Sequence, residues 1–128
     1  MSRDNIKRLG RLQLRILKIL WERSEASVAD VYASLGPDNE LAYTTVATML
    51  RKMETRQLVT HRIEGRTFIY QSAVAEDEVA RHLADDLVER VFEGRLADMF
   101  AHLLNSRDVS AAELKQIEKL ISQRKATR

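Results

Sequence analysis

The stretch Leu41–Tyr70, LAYTTVATMLRKMETRQLVTHRIEGRTFIY, sets an amphipathic segment directly before two short apolar and β-branched runs that flank a charged turn. Val46, Met49, Leu50 and Met53 fall at i, i+3, i+4 and i+7, the spacing of one buried stripe on an α-helix. The opposite face carries Thr44, Thr45 and Thr48 toward its N-terminal end and Arg51, Lys52 and Arg56 toward its C-terminal end. On either side of Glu64-Gly65-Arg66 stand Leu58, Val59 and Ile63, then Phe68, Ile69 and Tyr70, which predicts a hairpin with Gly65 supplying a positive φ. Each half alone has a plainer explanation. Charged helix faces are common on protein surfaces, and charges on a hairpin discourage edge-to-edge pairing. In sequence, helix then hairpin is the order of a winged helix-turn-helix. In that fold the helix enters the major groove of DNA and the wing brings cations, here Arg62 and Arg66, toward the phosphates. Short hydroxyl side chains at the front of the helix permit close approach, and the cations behind them reach flanking phosphates.

Upstream, Leu9, Leu12, Ile16, Leu17 and Leu20 make a helical stripe over about residues 9–22, ended by Ser24-Glu25-Ala26-Ser27. Trp21 beside it reads as a core anchor. Ser27 and Asp30 have the spacing of a capping box and open a shorter helix with Val28, Val31, Tyr32 and Leu35, stopped by Gly36-Pro37. Two helices, a third basic helix and a hairpin within residues 1–75 share one core, as a winged helix requires.

Residues 76–128 read as helical and separate. Val79, Leu83, Leu87, Val88 and Val91 line a first helix over about 76–93, with Glu76, Asp77 and Glu78 in the turn where the helix dipole favours acids and Gly94 as its end. Leu96, Met99, Phe100, Leu103 and Leu104 line a second. Ser110 and Glu113 mark a third, whose face is Leu114, Ile117, Leu120 and Ile121. Three short stripes in so small a segment need another surface to cover them, either the winged helix or a second copy of the chain, and the second copy is the expected partner. The fold class is therefore mainly α with a small β-hairpin: a winged helix-turn-helix over 1–75 and a C-terminal helical dimerisation module over 76–128. The expected dimer contacts are Leu83, Leu87 and Val91, then Leu96, Met99, Phe100, Leu103 and Leu104, then Leu114, Ile117, Leu120 and Ile121.

Composition bounds the function. The chain has 128 residues, 45% of them hydrophobic and 31% charged, with a net charge of +2. The charge is unevenly placed. Residues 1–75 hold 12 Lys+Arg against 8 Asp+Glu, a balance of +4, whereas residues 76–128 hold 9 against 11, a balance of −2. The basic excess lies with the predicted DNA-facing module. There is no cysteine, which excludes disulfides, thiolate metal sites and thiol redox sensing in this sequence. No run of about 18 apolar residues is present, and the first ten residues lack the apolar core of a signal peptide, so a cytoplasmic protein without membrane insertion is expected. His61, His82 and His102 fall on different elements with no paired ligand spacing, so neither a metal nor another cofactor is expected. Catalysis is not expected either, for the sequence has no nucleophile elbow and no phosphate-cradling glycine loop.

The run YTTVATMLRKMETRQLVTHRIEGRTFIY, the preceding ILKILWERSEASVADVYASL and the helical tail resemble the penicillinase-repressor family of bacterial regulators, the BlaI/MecI type. The resemblance covers nearly the whole chain. It implies a homodimeric repressor on a pseudo-palindromic promoter operator, with double-stranded DNA as its partner. Matched position by position, it implies Thr44, Thr45, Ala47 and Thr48 as the base-proximal set and Tyr43, Arg51, Lys52, Arg62 and Arg66 as backbone contacts. Where well-known members carry basic side chains, positions 44 and 47 here are Thr and Ala, which implies a different operator preference. Members that answer β-lactams are released when a membrane sensor with a protease domain triggers cleavage at an Asn-Phe bond. The matching pair here is His102-Leu103, so a sensor-protease partner must have another specificity or release must proceed otherwise. Two rival readings stay open: a winged helix used only for protein contacts, and a binder of RNA or of DNA without sequence preference.

Overall fold

The computed structural model describes residue 6 and residues 9–36 and 40–127. Six helices and three strands follow in the order α1 (Arg11–Arg23), β1 (Ala26–Ser27), α2 (Val28–Leu35), α3 (Tyr43–Thr55), β2 (Val59–Glu64), β3 (Thr67–Ser72), α4 (Glu76–Phe92), α5 (Leu96–Ser106) and α6 (Ala111–Ala126) among the described residues. The helices agree with the periodicity to within one or two residues. The sheet holds one more strand than the expected hairpin. Its order is β1-β3-β2, all antiparallel, with Ala26 opposite Tyr70 and Ser27 opposite Ile69. A two-residue strand has too little length to show alternation, which is why the segment Glu25–Ser27 reads only as a helix break.

The chain forms two compact units, residues 1–86 and residues 87–128. In the first, Ile16, Leu17 and Leu20 of α1 meet Val31 and Leu35 of α2, Val46, Leu50 and Met53 of α3, and Leu58, Val59 and Tyr70 of the hairpin, all buried. Each such side chain contributes on the order of 1.5–3 kcal/mol relative to exposure. Trp21 packs against this core, and its indole N–H donates to the Val74 carbonyl at 2.9 Å and to Ser72 Oγ at 3.0 Å. The polar edge of the ring is thus satisfied. Val79 is a core residue and Leu83 packs against the same core, so the first turns of α4 belong to the first unit although residues 76 onward read as a separate module.

Helix ends show how local chemistry fixes the frame. Ser27 Oγ accepts the Asp30 N–H at 3.1 Å while Asp30 accepts the Ser27 N–H at 3.2 Å, the reciprocal box the sequence predicts. The Ser27 backbone donor is the main reason the Asp30 carboxyl titrates below the ordinary aspartate value. At the end of α3, Gln57 takes φ 64°, its N–H donates to the Glu54 carbonyl, and the Leu58 N–H donates to the Met53 carbonyl. These bonds form a Schellman motif with glutamine where glycine is usual. In the second unit, Ser110 Oγ accepts the Glu113 N–H at 3.1 Å and opens α6.

Candidate nucleic-acid interface

Helix α3 owes its orientation to the three buried residues on its inner face, Val46, Leu50 and Met53, with Met49 half-buried and its sulfur accepting from Gln13 Nε2 at 3.4 Å. Its outer face is left with Tyr43, Thr44, Thr45, Arg51 and Lys52 exposed and Ala47 and Thr48 half-buried. The residue before the helix, Ala42, is in extended conformation and offers no side-chain cap. The Thr45 N–H already donates to the Ala42 carbonyl at 3.0 Å, which leaves those of Tyr43 and Thr44 for solvent or for an anion, as the dipole also favours. No acidic residue stands in that turn.

The expected base-proximal residues fall into two places. Thr44, Thr45 and Thr48 line a shallow depression of about 230 Å³ with Met49 and Lys52. Ala47 instead lines a larger cleft of about 440 Å³ with Tyr43, Arg51, Arg66, Phe68 and Tyr70, closed on its third side by Ser27, Val28 and Ala29 at the start of α2. Arg51 spans the two, since its Nη2 donates to Thr48 Oγ1 at 3.2 Å. Tyr43 packs edge-on against Tyr32 of α2, ring centres 5.7 Å apart. Tyr32 is thus exposed at the helix–helix seam although its spacing reads as core.

The wing is a two-residue turn, Gly65-Arg66, with Glu64 opposite Thr67 and positive φ at Gly65 (66°) but not at Arg66. That sign pattern suits the right-handed twist of a hairpin. Its two arginines differ. Arg66 has no ion-pair partner among the described residues. Arg62 is gripped by two carboxylates: its Nη2 and Nε reach Glu25 at 2.8 and 3.3 Å, and its Nη1 reaches Glu64 at 2.8 Å. The hydrogen bond from Arg62 holds the Glu25 carboxyl below the usual range, and Glu25 followed by Glu64 holds the guanidinium above its own. In the DNA-free chain Arg62 thus ties the wing to the segment before β1 through two solvent-exposed ion pairs. Glu25 lies 37 residues away in sequence, and no local spacing signals the pair.

His61 is half-buried on the face of the hairpin turned to α3. Its Nδ1 sits 2.7 Å from Glu54 Oε1, and its ring stacks on Phe68 with centres 4.1 Å apart and planes 8° off parallel. Burial pushes the neighbouring Tyr70 hydroxyl up, with the Glu54 carboxylate adding to the effect. Among the described residues no group of three or more His, Cys, Asp or Glu side chains is placed to hold a metal.

In the second unit the expected dimer residues form outward lines. Leu87 and Val91, then Leu96, Phe100 and Leu104, then Leu114, Leu120 and Ile121 are exposed, whereas Met99, Leu103 and Ile117 are half-buried. Leu83 is the exception, packed in the first unit. His102 is exposed within α5, near Phe92 at 6.2 Å between ring centres. Among the described residues no helix is long and apolar enough to cross a membrane.

Comparison with known proteins agrees with this architecture. A penicillinase repressor from Bacillus licheniformis is 22% identical over 120 residues, covering 94% of each chain. A transcriptional regulator BlaI from Mycobacterium tuberculosis is 33% identical over 82 residues, covering 63% of this chain and 59% of the relative. The solution structure of the DNA-binding domain of the repressor BlaI matches with a TM-score of 0.51 and 25% identity, covering 57% of this chain and 89% of that one. The penicillinase-repressor family model spans residues 9–123, and this chain belongs to that family of transcriptional repressors, which are not enzymes.

Proposed function

We propose that the protein is a homodimeric, sequence-specific repressor that occupies a pseudo-palindromic promoter operator, each protomer placing α3 in the major groove of one half-site. The observation that carries this reading is the outer face of α3, where Thr44, Thr45 and Thr48 stand with no acid in the first turn and Arg51 and Lys52 follow one turn later. Threonines meet base edges, while Tyr43, Arg51, Lys52 and Arg66 meet phosphates. Dimerisation rests on the outward lines of α4, α5 and α6. A two-fold protein on a two-fold site sets the half-site spacing at about one helical turn or a little more.

Repression is steric, and release follows loss of the dimer. Separating the protomers removes the gain from simultaneous half-site binding, about 10² to 10⁴ in affinity. Cleavage by the protease of a membrane sensor is one way to do so. The His102-Leu103 bond lies inside α5, with Leu103 half-buried, so cutting there requires local unravelling of that helix. A sensor protease that never cuts the chain in induced cells would leave release to another signal.

The test is selection of bound genomic fragments by the purified protein at about 150 mM salt, where purely electrostatic binding is weakened. Enrichment of a few promoter fragments sharing an inverted repeat is expected. Thr48→Glu should abolish that enrichment while sedimentation still reports a dimer. Retained enrichment would remove α3 from the groove, and a folded dimer that enriches nothing would favour the protein-contact reading.

A further inference from the structure

The apolar end of the wing belongs to the same interface. In the hairpin, Val59, His61 and Ile63 share a face with their partners Ser72, Tyr70 and Phe68, because alternate residues point the same way. At the root of the hairpin this face is core, with Val59 and Tyr70 buried. Toward the tip it runs out past the core, leaving Phe68 40% and Ile63 62% exposed as directly opposed partners. Exposure of paired large apolar side chains needs a reason, since a charged wing tip is the ordinary protection for a hairpin. Phe68 is also held in place, its ring stacked on His61, which is fixed in turn by Glu54.

What lies beside the ring says what covers it. Phe68 lines the 440 Å³ cleft together with Ala47 of the recognition helix, and Arg51 and Arg66 line the same cleft without a single carboxylate among its walls. Two cations lining the same cleft as an apolar ring suit the DNA backbone, where phosphates alternate with the C–H faces of deoxyribose. Arg62 is not among the residues lining this cleft and pairs with Glu25 and Glu64.

Resting on the operator-binding reading above, we propose that Phe68 and Ile63 are contact residues that pack against deoxyribose of the operator backbone, with Arg51 and Arg66 on the adjoining phosphates. Phe68 and Ile63 thereby contribute affinity that is insensitive to salt, beside the salt-dependent contribution of Arg66. A sugar contact excludes water from apolar surface and releases no counterion, so its loss lowers affinity without changing the salt dependence.

The experiment measures binding of the full chain and of Phe68→Ala, Phe68→Leu and Arg66→Ala to the fragment enriched from the genome, across a range of salt, with hydroxyl-radical footprints of each complex. Phe68→Ala should bind about tenfold more weakly with the salt slope of the parent, and should lose protection of a few sugars beside each half-site. Phe68→Leu should retain most of the affinity and the protection. Arg66→Ala should instead flatten the slope by about 0.9 per protomer contact. Unchanged affinity and footprint in Phe68→Ala overturns the sugar contact while leaving the repressor reading intact. A reduced salt slope in that variant also overturns it. Failure of the parent chain to bind any fragment overturns both.

Discussion

The two units of this protein are built from the same kind of helix and end in opposite conditions. In residues 1–86 the apolar stripes of α1, α2 and α3 close on one another and on the hairpin, leaving Ile16, Leu17, Val46, Leu50 and Met53 fully buried. In residues 87–128 no described residue is buried, and Val91 and Leu120 stand 63% and 64% exposed. An amphipathic stripe therefore specifies that a surface will be covered and is silent about by what. Length decides. The first unit has enough chain to cover its own faces, whereas about 40 residues in three helical pieces do not. On the dimer reading the second unit completes its core with the same residues from another copy, so its stability depends on concentration and that of the first does not.

The sharpest way to break this contrast is Phe100→Glu. Phe100 stands between Leu96 and Leu104 on one line of α5, all three exposed. A buried unpaired carboxylate at the centre of an apolar interface costs several kcal/mol, so sedimentation should report a monomer. Affinity for the enriched operator fragment should then fall by about 10² to 10⁴, while single half-site binding and the unfolding of the first unit stay as they were. A dimer that survives Phe100→Glu would move the interface off α5.

The next largest effect separates a closed core from an open face. Leu50→Ala leaves a cavity among α1, α3 and the hairpin, and should cost about 3 kcal/mol, within the usual range of 2–5. Leu120→Ala, measured in urea titrations dilute enough to keep the protein monomeric, should change stability by less than about 0.5 kcal/mol. Equal losses would mean that the second unit carries a core of its own.

The same contrast explains what could be read from residues alone. Helix α3, the hairpin and the Ser27-Asp30 box were legible because each is local: a stripe of period 3.6, a Gly between β-branched runs, a hydroxyl three residues before an acid. Three features were not. Strand β1 is defined only by its pairing with Tyr70 and Ile69, far along the chain. The ion pairs on Arg62 draw one carboxylate from Glu25, 37 residues away, and no local spacing announces that partner. The change of partner within α4 is hidden because Val79, Leu83, Leu87 and Val91 continue a single stripe, although Val79 is buried in the first unit and Val91 is exposed in the second. On the outer face of α3, Thr44, Thr45 and Thr48 were legible as one group, but the separation of Ala47 into the wing-side cleft depends on where Phe68 and Arg66 come to rest. Periodicity reports a face; only the assembled chain reports its neighbour.

The smallest effect tests whether the units unfold independently. Each holds a non-glycine residue in the left-handed region after a helix, Gln57 (φ 64°) following α3 and Glu93 (φ 52°) following α4. A side chain there costs up to about 1 kcal/mol relative to glycine, partly offset by the larger backbone entropy that glycine loses on folding. Gln57→Gly keeps the Schellman bonds to Glu54 and Met53 and relieves the Cβ, so it should stabilise the first unit by about 0.5 kcal/mol. Glu93→Gly should do the same for the second only when that unit is paired, because a segment already unfolded in the monomer has no strained conformation to relieve. Hydrogen exchange on each variant, at concentrations above and below the dimer transition, reads the two units separately. A gain from Gln57→Gly that spreads equally to amides of α5 and α6 would show a single cooperative fold, and the contrast between a self-sufficient reader and a shared module would fail.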